Sequence, residues 1–129
     1  MKPALDPRVW VYCCVDRSYP TDELKPLLLF RENEGVTILI EREVAEQINL
    51  PFSFPSRRIT LRVHSDLEAV GFLARLASEL TKYGIPANAV SAYYHDHLFV
   101  PLDRSEEALR VLEELSAFAA RQALNDGPF

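Results

Sequence analysis

Residues 57–71, RRITLRVHSDLEAVG, decide the fold. Hydrophobic and polar residues alternate over residues 57–63, which is the pattern of a strand with one buried face. A polar stretch follows at His64, and apolar residues then recur at helical spacing up to Tyr83. The backbone N–H groups at the start of such a helix are free to bind a ligand. The stretch therefore predicts a strand–loop–helix unit with a small-ligand site at the loop.

The helix after this loop is predicted over residues 65–83. Ser65 and Glu68 have the spacing of a capping box, and Gly84 suits the position just beyond the last turn. Gly71 falls inside the predicted helix, where glycine costs about 1 kcal/mol relative to alanine. We therefore expect a close contact at Gly71, either with a ligand or with the sheet.

A hairpin and a final helix complete the second half. Strands are predicted at residues 90–94 and 98–102, around a polar tip at residues 95–97. The aromatic residues Tyr93 and Tyr94 are expected to pack across the sheet, with one of them free to face a neighbouring subunit. Residues 103–106 repeat the capping-box spacing and open the last helix.

The first half repeats the same order of elements with a shorter connection. It contains a strand at residues 9–15, a loop at 16–26, two apolar runs at 27–30 and 36–40, and a helix at 42–50. Gly35 ends the polar tip between the apolar runs and predicts a hairpin there. Prolines at both ends of residues 51–55 mark the clearest internal boundary. The pattern predicts an α+β, ferredoxin-like fold whose halves share or extend an antiparallel sheet packed against helices.

Two strings in the second half resemble a known family. HS-x-LEAVG at residues 64–71 and YYHDHLFVP at residues 93–101 resemble a bacterial family of small tandem ACT-domain proteins, which is similar to the ACT domains of the CASTOR-type arginine sensors. The resemblance covers nearly all of residues 57–115, and in the first half chiefly residues 30–37. It implies two ACT-like βαββα halves, a degenerate N-terminal half at 1–55 and an ACT domain at 56–129.

The resemblance implies a non-catalytic regulatory or sensor protein. ACT domains bind amino acids or similar small effectors where domains meet, so we expect such a ligand, a regulated protein partner and a homodimer. The expected ligand-binding residues form one wall, an adjacent strand entry and an opposite wall: His64, Ser65, Asp66, Leu67, Val70, Gly71 and Phe72; Asn88; and Glu34, Gly35 and Val36.

Two alternative functions stay open. One is a protein-binding adaptor whose pocket is vestigial. The other is a small metal-dependent enzyme built on His64, His95, Asp96 and His97, because imidazoles and a carboxylate suit zinc. His95 and His97 are two residues apart with no further ligand at recognisable spacing, so a polar turn explains them better.

Composition limits the classes of partner. The net charge of −5 argues against a nucleic-acid surface, and the local basic cluster at Arg57, Arg58 and Arg62 is interpreted as a solvated edge. No apolar stretch approaches the roughly 20 residues that span a bilayer, and no secretory signal is visible at the N-terminus. The two cysteines are adjacent, so a cysteine-based metal site is excluded in a monomer. We expect a cytoplasmic protein without a cofactor.

Overall fold

The computed structural model describes residues 2–61 and 71–126, with side chains up to residue 118. Within these residues the strands are β1 (Pro3–Leu5), β2 (Trp10–Val15), β3 (Leu28–Arg31), β4 (Val36–Glu41), β5 (Ser53–Leu61), β6 (Asn88–Ser91) and β7 (Asp96–Pro101). The α-helices are α1 (Arg42–Gln47), α2 (Phe72–Lys82) and α3 (Ser105–Asp126). A short 3-10 turn, Asp22–Leu24, lies in the loop after β2.

All the described strands join one antiparallel sheet in the order β3-β4-β2-β5-β7-β6. β5 is its central strand. The start of β5 pairs with β2, its end pairs with β1, and its other edge pairs with β7. β1 and β2 therefore lie one after the other along the same side of β5. The short turn between them, residues 6–9, passes the middle of β5.

One face of the sheet is covered by helices. In the second half, Leu76 and Leu80 of α2 and Leu112 of α3 pack on buried residues of β5 and β7. In the first half, Ala45 of α1 closes a smaller core over β2 and β4. Leu76 and Leu80 are four residues apart, as on the buried face of an amphipathic helix.

The opposite face also buries large side chains. Trp10, Leu39 and Phe99 are each at most 3% exposed there, although no described helix packs on that side. The same cluster includes residues from both edge strands of the sheet. They are Leu28 of β3, the preceding residue Leu27, and Val90 of β6. The sheet is therefore curled, so that its two edges approach each other over Phe99. We call this surface the concave face.

Most predicted elements are present, and the α+β fold class is confirmed. Both hairpins contain the same turn: Glu32 N–H donates to the Gly35 carbonyl at 2.8 Å, and Ala92 N–H donates to the His95 carbonyl at 3.0 Å. Each half thus contains a four-residue hairpin loop of the same kind. Strand β1 was not predicted, because three residues that begin with Pro3 and are followed by Asp6 and Pro7 carry no periodic pattern.

Two predictions of detail are wrong. The predicted helix over residues 65–83 does not include Gly71, whose φ of +82° is left-handed, and α2 begins at Phe72. Residues 65–70 of that prediction lie outside the described residues. The second hairpin tip is at residues 92–95, since Ser91 pairs with Asp96. Tyr93 and Tyr94 consequently lie in the turn, 75% and 66% exposed, and do not pack across the sheet.

The predicted division at residue 55 falls inside a continuous strand. β5 runs through it from Ser53 to Leu61. The first residues of the chain, Pro3–Leu5, pair with the end of this strand, in the second half of the molecule. The division into residues 1–55 and 56–129 stays a prediction.

Candidate ligand-binding site

The predicted wall at the strand–helix connection is described only at its end. His64, Ser65, Asp66, Leu67 and Val70 lie outside the described residues. Gly71 is exposed, and a Cβ atom added to it would meet no atom of the described residues within 4 Å. The positive φ of Gly71 by itself favours glycine at this position. Phe72 is partly buried against the helix-side core.

Within one chain, residues 34–36 lie at the end of the sheet opposite to the end of β5. Val36 pairs with Val15 at the far end of β2, whereas Leu61 ends β5 at the other end of the molecule. β5 has nine residues, so it separates the two places by about 25 Å. Val36 is buried in the first core, while Glu34 is exposed in the turn.

Gly35 has a structural reason to be glycine. A Cβ atom at this position would lie 3.0 Å from the Val15 carbonyl oxygen and 3.0 Å from the Cys14 sulfur. The turn can therefore pack against the end of β2 only because Gly35 has no side chain.

The histidine-containing hairpin does not form the metal centre of the enzyme hypothesis. Asp96 and His97 are consecutive residues of β7, so their side chains point to opposite faces of the sheet. Among the described residues, no three His, Cys, Asp or Glu side chains converge as a metal site. His64, the remaining member of that hypothesis, lies outside them.

A groove runs along α2 from the predicted wall. Its volume is about 450 Å³, and it is lined by Gly71, Ala74, Arg75, Ser78, Glu79, Lys82 and Leu115. Lys82 Nζ lies 3.0 Å from Glu79 Oε2, so the Glu79 carboxylate is paired. The groove thus begins at Gly71 and carries side chains of both charges.

A second cavity opens on the concave face, between the two edges of the curled sheet. Its volume is about 200 Å³, and it is lined by Leu27, Leu28, Arg58, Val90, Ala92, His97 and Phe99. Asn88 lies on the same face of β6 as Val90, two residues away, because it pairs with Phe99. Of the predicted site residues, Asn88 is therefore the one nearest to this cavity in the sheet.

Arg58 is the charged residue of the cavity wall. Its side chain is 21% exposed, so the interpretation of this arginine as part of a solvated edge is wrong. Arg58 Nη2 donates to Asp6 Oδ2 at 3.1 Å. The buried Arg58 Nε has no hydrogen-bond partner among the described residues. An N–H group buried without a partner costs about 1 to 3 kcal/mol. The guanidinium as a whole is the cation of the cavity wall, and it can pair there with an anion.

Asp6 holds Arg58 in place from the turn between β1 and β2. Its carboxylate also accepts hydrogen bonds from Arg8 and from the indole N–H of Trp10. Burial acts to raise the pKa of Asp6, but these hydrogen bonds outweigh it and lower the pKa to about 2. Asp6 is therefore ionised whenever the protein is folded near neutral pH.

His97 contributes a neutral imidazole to the cavity. Burial lowers the pKa of His97, and the positive charge of Arg58 lowers it further. His97 Nδ1 lies 3.0 Å from Thr60 Oγ1, which holds the ring against β5. The cavity wall is thus apolar except for one cation and one neutral histidine.

Sequence reasoning missed most of this cavity. Arg58 and His97 are 39 positions apart in the chain, and the leucines come from the other half. The feature of the sequence that points to this cavity is the alternation of polar and apolar residues at 57–63, which places Arg58 and Thr60 on one face of the strand. That pattern shows which side chains share a face, but not that the sheet curls over them.

Family models match both halves of the chain. A model of the ACT domain matches residues 1–57, and a second ACT-domain model matches residues 53–114. The two matches overlap at the beginning of β5, which serves both halves of the sheet. Among curated proteins, none matches the sequence.

Solved structures share the fold. A crystal structure of a Vibrio cholerae protein of unknown function, described as a possible transport protein, is 40% identical; the match covers 88% of each chain with a TM-score of 0.81. An Agrobacterium tumefaciens protein is 16% identical over 88% of this chain and 87% of its own, with a TM-score of 0.69. The ligand-free regulatory subunit of aspartate kinase from Thermus thermophilus is 10% identical over 88% and 96%, with a TM-score of 0.59.

The last two structures show the fold alone, since their identities are low. The two ACT-domain models, which together match residues 1–114, assign the family. ACT domains are regulatory modules that bind small effectors. The described residues include no helix that is long and apolar enough to cross a membrane. This chain therefore belongs to the ACT-domain family and carries two ACT domains in tandem.

Proposed function

We propose that this protein is a non-catalytic sensor that binds an amino acid and regulates a partner protein. The family supports a regulatory, small-molecule-binding role. The observation that supports an amino acid as the ligand is the groove along α2. This groove begins at Gly71 and is lined by both positively and negatively charged side chains. A free amino acid needs a cation for its carboxylate and an acid for its ammonium group.

The cation and the acid that would bind the amino acid lie on one helix. Arg75 and Glu79 are four residues apart, so their side chains lie on the same face of α2. In this proposal Arg75 binds the carboxylate, and Glu79 exchanges Lys82 for the ligand's ammonium group.

A thermal-shift screen against the twenty amino acids tests the proposal. Arginine comes first, because of the resemblance to CASTOR-type sensors. A ligand at 100 times its Kd adds about 2.7 kcal/mol to the free energy of unfolding, which raises Tm by several degrees in a protein of this size. Arg75→Met should abolish the shift. Arg31→Met, which removes an exposed arginine of β3, should leave it unchanged.

Other outcomes favour the alternatives. No shift with any amino acid, or a shift that survives Arg75→Met, contradicts the proposed site. Silence across the panel together with a captured partner favours the adaptor. A shift with zinc alone favours the metal-dependent enzyme.

A homodimer in the cytoplasm remains part of this proposal. β3 and β6 are edge strands of the sheet, and edge strands favour pairing with another chain. Light scattering coupled to size-exclusion chromatography, with and without the amino acid, would measure the assembly.

A further inference from the structure

The concave face encloses a cavity that the amino-acid proposal does not use. It lies on the side of the sheet opposite α2 and α3, between edge strands that come from different halves of the chain. Phe99, at 2% exposure, lines it from the central region of the sheet. Tyr12 supports Phe99 with an edge-to-face contact, at a ring-centroid distance of 6.4 Å. The cavity is therefore built on a packed aromatic cluster.

Its size fits a small molecule. A volume of about 200 Å³ lies below the 300 to 1,000 Å³ of pockets for drug-sized ligands, and equals about seven water volumes. A ligand of about eight non-hydrogen atoms fills such a space. The aliphatic side chains of Leu27, Leu28, Val90 and Ala92 line most of the wall, so the body of the ligand is apolar.

The polar part of the wall selects the charge of the ligand. Arg58 supplies a guanidinium, and His97 supplies an imidazole. A carboxylate would pair with this guanidinium. No Asp or Glu lines the cavity among the described residues, and the nearby Asp6 carboxylate already accepts hydrogen bonds from Arg58, Arg8 and Trp10. An ammonium group in the cavity would be buried without a partner, which is costly.

We propose that the concave-face cavity binds a short branched-chain carboxylate without an α-ammonium group, with Arg58 as the partner of its carboxylate. This second site is independent of the groove along α2. It links the two ACT domains, because Leu27 and Leu28 belong to the first match and Val90 and His97 to the second. A ligand there would hold the two edges of the sheet together.

The probe is 4-methylpentanoate, which has eight non-hydrogen atoms, one carboxylate and a branched apolar end. Titration of the full chain is followed by amide NMR spectra. We expect saturable shifts at Leu27, Val90 and Ala92, and little change along α2. Two matched compounds test the chemistry: 4-methylpentanamide removes the charge, and leucine adds the ammonium group. Both should bind at least about tenfold more weakly.

Two variants test the residue. Arg58→Lys keeps the positive charge beside Asp6 but removes the planar fork of donors, so Kd should rise at least about tenfold. Arg57→Lys is the matched control, because Arg57 is the neighbouring residue on the opposite face of β5. It loses a hydrogen bond to the Asp6 carbonyl, and it should leave the Kd for the probe unchanged.

Several results would overturn this proposal. They are no saturable shifts at the cavity residues, an unchanged Kd in a folded Arg58→Lys, equal binding of the amide, or tighter binding of leucine in the same cavity. Because the signals of α2 are read in the same spectra, failure here is distinguishable from failure of the amino-acid site.

Discussion

Arg58 Nη2 donates a hydrogen bond to Asp6 Oδ2 at 3.1 Å, and so ties the central strand to the turn between β1 and β2. Arg57, on the other face of β5, donates to the backbone carbonyl of the same Asp6 at 2.9 Å. The turn between β1 and β2 is thus held from both faces of β5. This arrangement keeps β1 and β2 in line along the same side of β5.

Asp6→Asn should destabilise the fold by about 2 to 3 kcal/mol, because the partly buried Arg58 loses its anionic partner. Urea unfolding measures the change. Asp22→Asn, in an exposed turn, is the control and should have an effect within about 0.5 kcal/mol. A small effect of Asp6→Asn would show that the network contributes nothing net.

The lowered pKa of the Asp6 carboxylate predicts that the protein loses stability in acid. The pKa of Asp6 is about 2 in the folded protein and 3.8 without these contacts. A lowered pKa contributes stability that is full above about pH 4 and is lost as pH falls towards 2, which amounts to about 2 kcal/mol. Unfolding measured between pH 5 and pH 2 should show a smaller slope in Asp6→Asn. If the free energy of unfolding fell equally steeply with pH in the unmodified protein and in Asp6→Asn, Asp6 would not be the titrating group.

Gly35→Ala should destabilise the protein by about 1 to 3 kcal/mol, because its Cβ would lie 3.0 Å from the Val15 carbonyl oxygen. Gly84→Ala is the comparison. It has a φ of +68° but nothing within 4 Å of the added Cβ, so only the backbone strain of about 1 kcal/mol applies. Denaturant midpoints of the two variants separate these effects. A larger loss in Gly84→Ala would contradict the close contact.

Phe99→Ala should destabilise the protein by about 3 to 5 kcal/mol, since Phe99 is 2% exposed on the concave face. Phe30, on edge strand β3, is 62% exposed, so Phe30→Ala should change the stability by less than about 0.5 kcal/mol. Thermal unfolding of the two variants tests whether the concave face is a second core. Similar small losses would mean that the sheet is flatter than described.

His97 should titrate below its ordinary pKa of 6.5, because burial and the charge of Arg58 both disfavour its protonation. The stability that neutral His97 contributes is full above pH 6.5 and is lost as pH falls below it. Arg58→Met should raise the pKa of His97, which histidine NMR signals would show. An unchanged pKa in that variant would place the two side chains too far apart to interact.

The sequence by itself determined the order of the elements and the face that each side chain occupies. Alternation in residues 57–63 placed Ile59 and Leu61 opposite Arg58 and Thr60, and the adjacent Cys13 and Cys14 are indeed buried and exposed in turn. These features follow from local periodicity, since a strand alternates its side chains and a helix repeats them every 3.6 residues. The start of α2 at Phe72, directly after Gly71, was missed, because the apolar spacing in the sequence continues on both sides of this glycine.

Only the tertiary structure decided which distant residues meet. Three features depend on contacts between residues more than fifty positions apart in the chain. They are the pairing of Pro3–Leu5 with the end of β5, the partial burial of Arg58 beside Asp6, and the cavity between Leu28 and Val90. No local pattern encodes them, because sheet curvature arises from the twist summed over all the strands. The same curvature turned a face that alternation marked as polar into a second core around Phe99.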